Sequence, residues 1–247
     1  MSGGYGNNDL LEKFKTNKII SLIIKLLYPP MPTLNTMRTK DLNLIKNKLF
    51  KSSSKVLNIG SGLSNGVGRR LWKDLDYKDF SLINLDIIPG DNIDIVADAH
   101  NLPFRGKEFN SIIIQSTLEH VKNPIQVISE SFRVLKKDGY IYIEVPFLQG
   151  IHGDPDDYQR YTLSGLKELL NDFDIIKLGV SVGPMCTLVW YLRDLFSSIF
   201  KNKFLYYFAR FLAGWIFSPM RYIDYIIINK PAYYRLASEY FILGQKK

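Results

Sequence analysis

Of the three histidines in 247 residues, His120 and His152 stand in short polar stretches that directly follow apolar, strand-like runs. The stretch "QSTLEHVKNP" sets Glu119 beside His120, and "QGIHGDPDDYQRY" sets His152 just ahead of Asp156, Asp157, Tyr158, Arg160 and Tyr161. Imidazole changes protonation near neutral pH and a carboxylate can orient it, so His120, His152 and Asp157 are candidates to take a proton from a hydroxyl. Blander roles carry equal weight. His120 opens a helical stretch it could simply buttress, Glu119 suits an orienting partner, a ligand or a base, and "DPDDYQRY" also reads as an internally bonded loop with Arg160 on one of its aspartates. A rim of carboxylate, guanidinium and phenol would suit a sugar-like acceptor, with Tyr158 and Tyr161 stacking on a ring.

A second chemical feature lies upstream. "VLNIGSGLSNG", 56–66, is a short apolar run followed by glycines at 60, 62 and 66. A buried parallel strand passing through a glycine turn into an amphipathic helix, "NGVGRRLWKDL", fits the pattern. Glycine accepts positive φ and lets a ligand approach the backbone, so Gly60 and Gly62 suggest a loop curving beneath something bound, although a plain glycine-rich turn reads the same. Asp86 ends the next strand, where a carboxylate can take both hydroxyls of a ribose. Asp98 follows the third strand, placed to accept from an adenine amino group. The dinucleotide fingerprint is broken by Asn65, and Thr162 stands where a Tyr-x-x-x-Lys pair starting at Tyr158 would need lysine. Both points argue against a nicotinamide-dependent reductase.

These residues need a frame. Apolar runs recur at 80–87, 92–97, 109–115, 139–147 and 173–180, with helical stretches between them, which predicts an α/β layered fold with a mainly parallel sheet. "NPIQVISESFRVLKKDG" reads as a helix ending in a basic turn before Gly139, and "TLSGLKELLND" as a helix capped by Thr162. The final "EYFILGQKK" lacks a preceding helix of the alternating series and is expected to pair antiparallel with 173–180. An N-terminal helical cap over 1–50 precedes the main domain, 51–183 plus 235–247, and its amphipathic stretch over 10–27 stops at Pro29 and Pro30. That stretch suits a helix on the sheet, a lid or a membrane-surface helix.

Between the last two strands lies an insertion, 184–234, too long for a hairpin loop and dense in Phe, Tyr and Trp interleaved with Arg193, Lys201, Lys203, Arg210 and Arg221. Arg210 interrupts its longest apolar stretch, so spanning a membrane is not expected. An interfacial helix, a cap over the substrate cleft and a dimer contact all fit.

The net charge of +8 is uneven: 1–55 carries 10 basic and 3 acidic residues, 56–184 carries 13 and 18, and 185–247 carries 9 and 3. An acidic middle argues against nucleic acid as a partner. Cys186 is the lone cysteine, which excludes an internal disulfide and fits a reducing, cytoplasmic setting.

Taken in order, "VLNIGSG" with Asp86, "ADAHNLPF", "LEHVKNP" and "VLKKDGYIYIEVPF" resemble a class I S-adenosylmethionine-dependent methyltransferase, of the branch containing ubiquinone and menaquinone biosynthesis methyltransferases. "HGDPDDYQRYTLSGLKELL" is similar to methyltransferases of glycan pathways. The resemblance implies a Rossmann-like sheet of seven strands, the last antiparallel, with S-adenosylmethionine as cofactor. It implies a cofactor site of Asn58, Gly60, Ser61, Gly62, Asp86, Ile87, Asp98, Ala99 and Gln115. His152, His120 and Asp157 become the candidate bases, and Glu119, Tyr158, Arg160 and Tyr161 the acceptor-side residues. Asn58 replaces the family's usual acidic residue. Ser116 stands where some quinone O-methyltransferases carry a metal-binding Glu, so no metal is expected. The resulting expectation is O-methylation of a small, glycan or lipid-linked acceptor, with the insertion on a membrane surface. A non-catalytic scaffold built on the same fold is the alternative.

Overall fold

The computed structural model describes residues 28–62, 79–152 and 156–247; the expected helices over 10–27 and 65–75 lie outside the described residues. A seven-stranded sheet runs in the order β3-β2-β1-β4-β5-β7-β6. Its strands are β1 (Lys55–Ile59), β2 (Ser81–Asp86), β3 (Ile95–Val96), β4 (Phe109–Gln115), β5 (Leu135–Pro146), β6 (Phe173–Val182) and β7 (Glu239–Lys246). β1 to β5 pair in parallel, and β7 lies antiparallel between β5 and β6. The antiparallel last strand is as expected.

The central strands are apolar along their length because both faces are covered. Helix α1 (Thr39–Leu49) buries Ile45 and Leu49 on one face, against Val56, Ile113 and Tyr142. Helices α2 (Pro124–Val134) and α3 (Leu163–Leu169) cover the other face with Val127, Val134 and Leu166. Both begin as their sequences predict: Asn123 accepts from Gln126 N at 3.3 Å and Thr162 accepts from Gly165 N at 3.1 Å.

One helix end differs from expectation. α2 stops at Val134, before Lys136 and Lys137, because the carbonyls of Arg133 and Val134 are taken by Lys107 N and Glu108 N from the turn leading into β4. Early in β5 the chain passes through Asp138, with φ +59°, and Gly139, where a Cβ would come within 3.0 Å of the Asn110 carbonyl. Gly139 is therefore a close-approach glycine in the sheet and not a helix stop.

The insertion is helical: α4 (Pro184–Ser198), α5 (Lys203–Phe217), a 3-10 turn (Ser218–Ile223), α6 (Asp224–Ile227) and α7 (Pro231–Arg235). α5 reverses the usual amphipathic order, which places the apolar stripe toward the core. Its buried residues are Ala209, Arg210, Ala213 and Gly214, whereas Phe204, Phe208, Leu212, Trp215 and Ile216 are exposed. Three basic residues of the insertion also turn inward. Arg210 pairs with Asp194 at 2.6 Å, Arg193 contacts the same carboxylate at 3.5 Å, and buried Arg221 donates to the Met31 carbonyl.

Asp224 ties the insertion together. It is fully buried, and its carboxylate accepts from Met185 N at 3.0 Å and Cys186 N at 3.3 Å, capping the first turn of α4 from a distant helix. Replacement by Ala should cost about 1–2 kcal/mol, as removal of an N-cap does, with Asp224→Asn recovering part of the loss. Urea unfolding curves measure this, and an unchanged midpoint for Asp224→Ala would remove the cap from the argument.

Candidate active site

In an open α/β sheet the binding crevice lies beyond the carboxyl ends of the strands, where the strand order reverses direction. Here that point lies between β1 and β4. After β1 the chain turns sharply through Gly60 and Gly62, with φ +66° and +69°. A Cβ on Gly60 would sit 2.2 Å from Thr117 Oγ1, so only glycine fits against the end of β4. The loop is held to β2: Gly60 N and Ser61 N donate to the Leu85 carbonyl at 2.8 and 3.2 Å, and Gly62 N donates to Asp86 Oδ2 at 2.9 Å. Asp86 also accepts from Ile88 N at 3.0 Å, which leaves part of its four-site acceptor capacity for a ligand. Ser61 Oγ is buried without a hydrogen-bond partner among the described residues. Asn58 donates to Asn84 at 3.0 Å. Asp98 accepts from the His100 backbone at 2.9 Å and from its ring at 2.6 Å; these contacts hold the carboxyl below its usual range despite partial burial. Ile87 is exposed beside Asp86, and Ala99 follows Asp98 half-buried.

The opposite wall comes from the ends of β4 and β5. Thr117 leads into a 3-10 turn, Leu118–His120, that buries Glu119 completely. Neither Glu119 carboxylate oxygen has a hydrogen-bond partner among the described residues. Instead, Oε1 faces His120 Nε2 and His152 Nε2, each at 3.8 Å. The two rings meet edge to face with centroids 5.6 Å apart. Burial pulls the His152 pKa down, but the Glu119 carboxylate and the Gly150 carbonyl outweigh it and leave it raised. Trp190 of α4 lies 5.7 Å from the His152 ring, so the insertion forms one wall of this site.

The loop after β5 is the expected internally bonded turn. Asp157 accepts from both terminal nitrogens of Arg160 and from His152 N at 2.8 Å. Burial alone would raise its pKa, but Arg160 and the His152 N–H bring it down to about 2. A carboxylate that weakly basic, with its oxygens occupied, is not a proton acceptor at neutral pH, and the candidate base Asp157 is corrected to a brace for His152. Tyr161 is likewise corrected: it is buried, its hydroxyl donates to the Leu118 carbonyl at 3.0 Å, and it packs the core instead of reaching an acceptor. Tyr158 is exposed and donates to Asp156 at 2.7 Å.

Beneath the site lies a buried polar layer. Gln115 donates to Glu144 at 2.7 Å, Tyr142 donates to the same oxygen at 3.1 Å, and Gln149 donates to Glu239. Thr117, Glu144 and Trp190 escaped the sequence reading. Thr117 stands just ahead of the matched motif, Glu144 lies inside an apolar strand motif that gives it no role, and Trp190 sits in a segment whose position over the site only the fold supplies. His100, two residues after Asp98, was visible but unused.

The family described as "Methyltransferase domain" matches residues 69–143. An uncharacterized protein of Methanocaldococcus jannaschii is 37% identical over 91 residues, which are 35% of this chain and 44% of that protein, so the match spans under half of the curated relative's length. Among solved structures, Haemonchus contortus phosphoethanolamine N-methyltransferase 2 in complex with S-adenosyl-L-methionine is similar with a TM-score of 0.51 and 15% identity, covering 96% of this chain and 59% of that one. The [4+2]-cyclase SpnF is similar with a TM-score of 0.51 and 14% identity, covering 84% and 80%. At such identities the likeness shows the fold alone, and the cyclase illustrates that the fold does not dictate the reaction.

Glu239 provides a pH test of the buried layer. Burial first, then the nearby Glu144, raise its pKa well above the ordinary value. The folded state thus holds a proton that the unfolded chain releases, and stability falls as pH rises above about 4.3, the unperturbed Glu value. Glu239→Gln should flatten that decline and be more stable than the parent at pH 8 by about 1 kcal/mol or more. Parallel urea titrations at pH 4 and pH 8 measure the difference, and equal slopes for the two proteins would contradict it.

Proposed function

We propose that this chain, which carries a class I S-adenosylmethionine-dependent methyltransferase domain, methylates a hydroxyl of a small, glycan or lipid-linked acceptor near a membrane surface. One observation carries the reading: a cofactor-type glycine loop and a buried Glu119 with two imidazoles face one crevice from opposite walls, joined at Gly60 and Thr117.

The residues of the first wall fit S-adenosylmethionine. Gly60 and Gly62 leave the backbone open to close approach, and Ser61 Oγ has no hydrogen-bond partner among the described residues. Asp86 would hold the ribose hydroxyls and Asp98 the adenine amino group, with Ile87 and Ala99 beside them. Asn58 and Gln115 would lie toward the methionine end. The cofactor supplies a methyl group activated on a sulfonium, so the protein's task is alignment and exclusion of water. His120 and His152 turn their Nε2 atoms toward Glu119, and an acceptor hydroxyl entering between these three groups would find its base there; Asp157, held by Arg160, fixes His152, and Trp190 packs beside its ring.

The membrane part rests on the outward face of the insertion. Residues Leu188, Tyr191, Leu195 and Ile199 of α4 and its cap, and Phe204, Phe208, Leu212 and Trp215 of α5, are exposed at helical spacing. No helix among the described residues is long and apolar enough to cross a membrane. An amphipathic pair lying in the interface suits this pattern. Lys201 and Lys203 at the hairpin tip are exposed, whereas Arg210 and Arg221 are buried, so attraction to anionic lipid is secondary to apolar burial.

Titration calorimetry with S-adenosylmethionine tests the first part. The wild type should bind, and Asp86→Ala should weaken binding by about tenfold to a hundredfold, since a hydrogen bond to a charged group contributes about 1.5–3 kcal/mol. A folded wild type that does not bind would favour the scaffold reading. For the membrane part, the double variant Phe204→Ser, Phe208→Ser should reduce co-sedimentation with phosphatidylcholine–phosphatidylserine vesicles about tenfold or more, each lost aromatic removing roughly 2 kcal/mol of burial. Unchanged pelleting, or a concentration-dependent dimer abolished by the same substitutions, would assign the face to another occupant.

A further inference from the structure

We infer that Glu119, His120 and His152 form a binding site for a divalent transition-metal ion, with zinc the first choice, on the acceptor side of the crevice. One ligand atom from each of the three residues lies within 4.8 Å of the other two, and Glu119 Oε1 is the atom nearest both Nε2 nitrogens. Two of the separations are 3.8 Å: too long for hydrogen bonds, and within the roughly 3–4 Å spacing of ligands around an ion at about 2.1 Å.

The hydrogen-bond pattern fixes how the imidazoles are presented. His120 Nδ1 lies 2.7 Å from the Asp156 carbonyl, and His152 Nδ1 lies 3.0 Å from the Gly150 carbonyl. A carbonyl oxygen only accepts, so in both rings Nδ1 carries the proton. Arg160 Nη2 also lies 3.2 Å from His152 Nδ1, but its two protons go to the Gly150 carbonyl at 2.9 Å and Asp157 Oδ2 at 2.5 Å. In the neutral rings each Nε2 lone pair is therefore free and directed toward Glu119. A ligating histidine is typically oriented in this way by a carbonyl behind its other nitrogen.

The second, independent observation is Glu119 itself: 0% exposed, facing both Nε2 atoms, with neither oxygen hydrogen-bonded among the described residues. A buried carboxylate without hydrogen bonds is costly, and an ion would satisfy it. Two imidazoles and one carboxylate favour zinc or a neighbouring first-row ion over magnesium or calcium. Three protein ligands also leave a coordination position open, as catalytic sites do.

The expectation of no metal rested on Ser116, which still offers no carboxylate; the third ligand comes from His152 on the next strand's loop. Resting on the methyl-transfer reading, the open position would take the acceptor's hydroxyl oxygen and make that hydroxyl more acidic.

The test uses the untagged full chain, stripped by chelator and titrated with zinc, and separately with cobalt, whose visible spectrum reports coordination. One equivalent of zinc should bind, cobalt should give a four- or five-coordinate absorption band, and Glu119→Gln and His152→Gln should each lower zinc affinity at least a hundredfold. S-adenosylmethionine binding by the same samples serves as the control for folding. Absence of stoichiometric zinc in a wild type that binds the cofactor overturns the metal site and leaves methyl transfer standing. Equal zinc binding by the folded variants overturns the ligand assignment. Zinc uptake without cofactor binding supports the metal site while the methyl-transfer reading fails. Should the variants not fold, the wild-type cobalt spectrum decides: an octahedral, water-like band overturns the site.

Discussion

The contact between Gly60 and Thr117 is the constraint on which the crevice depends. A Cβ at Gly60 would overlap the threonine hydroxyl at 2.2 Å, so the carboxyl ends of β1 and β4 close directly on one another. Thr117 Oγ1 lies 2.9 Å from the Gln115 carbonyl, which fixes the side chain that Gly60 must accommodate. The cofactor loop starts on one side of this contact and the Leu118–His120 turn on the other, so the two walls begin within a side-chain length. β1 and β4 also flank the point where strand order reverses, which is where an open α/β sheet places its binding crevice.

What returns His152 to Glu119 is the pairing of β5 with β7 and the loop that follows. Phe147 N donates to the Ser238 carbonyl, Tyr161 N to the Pro146 carbonyl, and Tyr158 N to the Glu119 carbonyl. The loop is thus anchored at both ends and across to the 3-10 turn. Within it, Arg160 gathers Asp157, Gln149 and Gly150, all on the side of His152 away from Glu119. Its charge is neutralised by Asp157, whose side chain is only 1% exposed, so the brace adds little net field to the imidazoles.

Much of this was legible in the sequence. Val56–Ile59, the 109–115 run and the 239–246 run are apolar on both faces, and such runs announce themselves as buried strands whatever surrounds them. Gly60, Asp86 and the Glu119–His120 pair could be placed because each follows a strand directly. What could not be read depends on contacts between distant segments. The early end of α2 is decided by Lys107 and Glu108 competing for its carbonyls. The inward Tyr161 and the occupied Asp157 are decided by a loop closing on itself. Arg210 and Arg221 looked like a basic face, but a helix pair lined by alanine and glycine leaves room for arginine inside and turns the aromatic residues outward.

The insertion and the crevice are one mechanical unit, because α4 serves both. Its middle places Trp190 against His152, and the same helix runs on through Leu195 to Ile199 at the exposed apolar edge. At about 1.5 Å per residue, roughly 13 Å of helix axis separates Trp190 from Ile199. Whatever occupies the aromatic face therefore lies about two and a half helical turns from the paired imidazoles. That distance suits an acceptor whose polar head enters the crevice while its apolar anchor stays at the surface. An acceptor without an anchor would need only the Trp190 end of the helix. The outward-facing residues from Leu195 to Trp215 then carry no role in the chemistry, and a soluble substrate alone does not account for them.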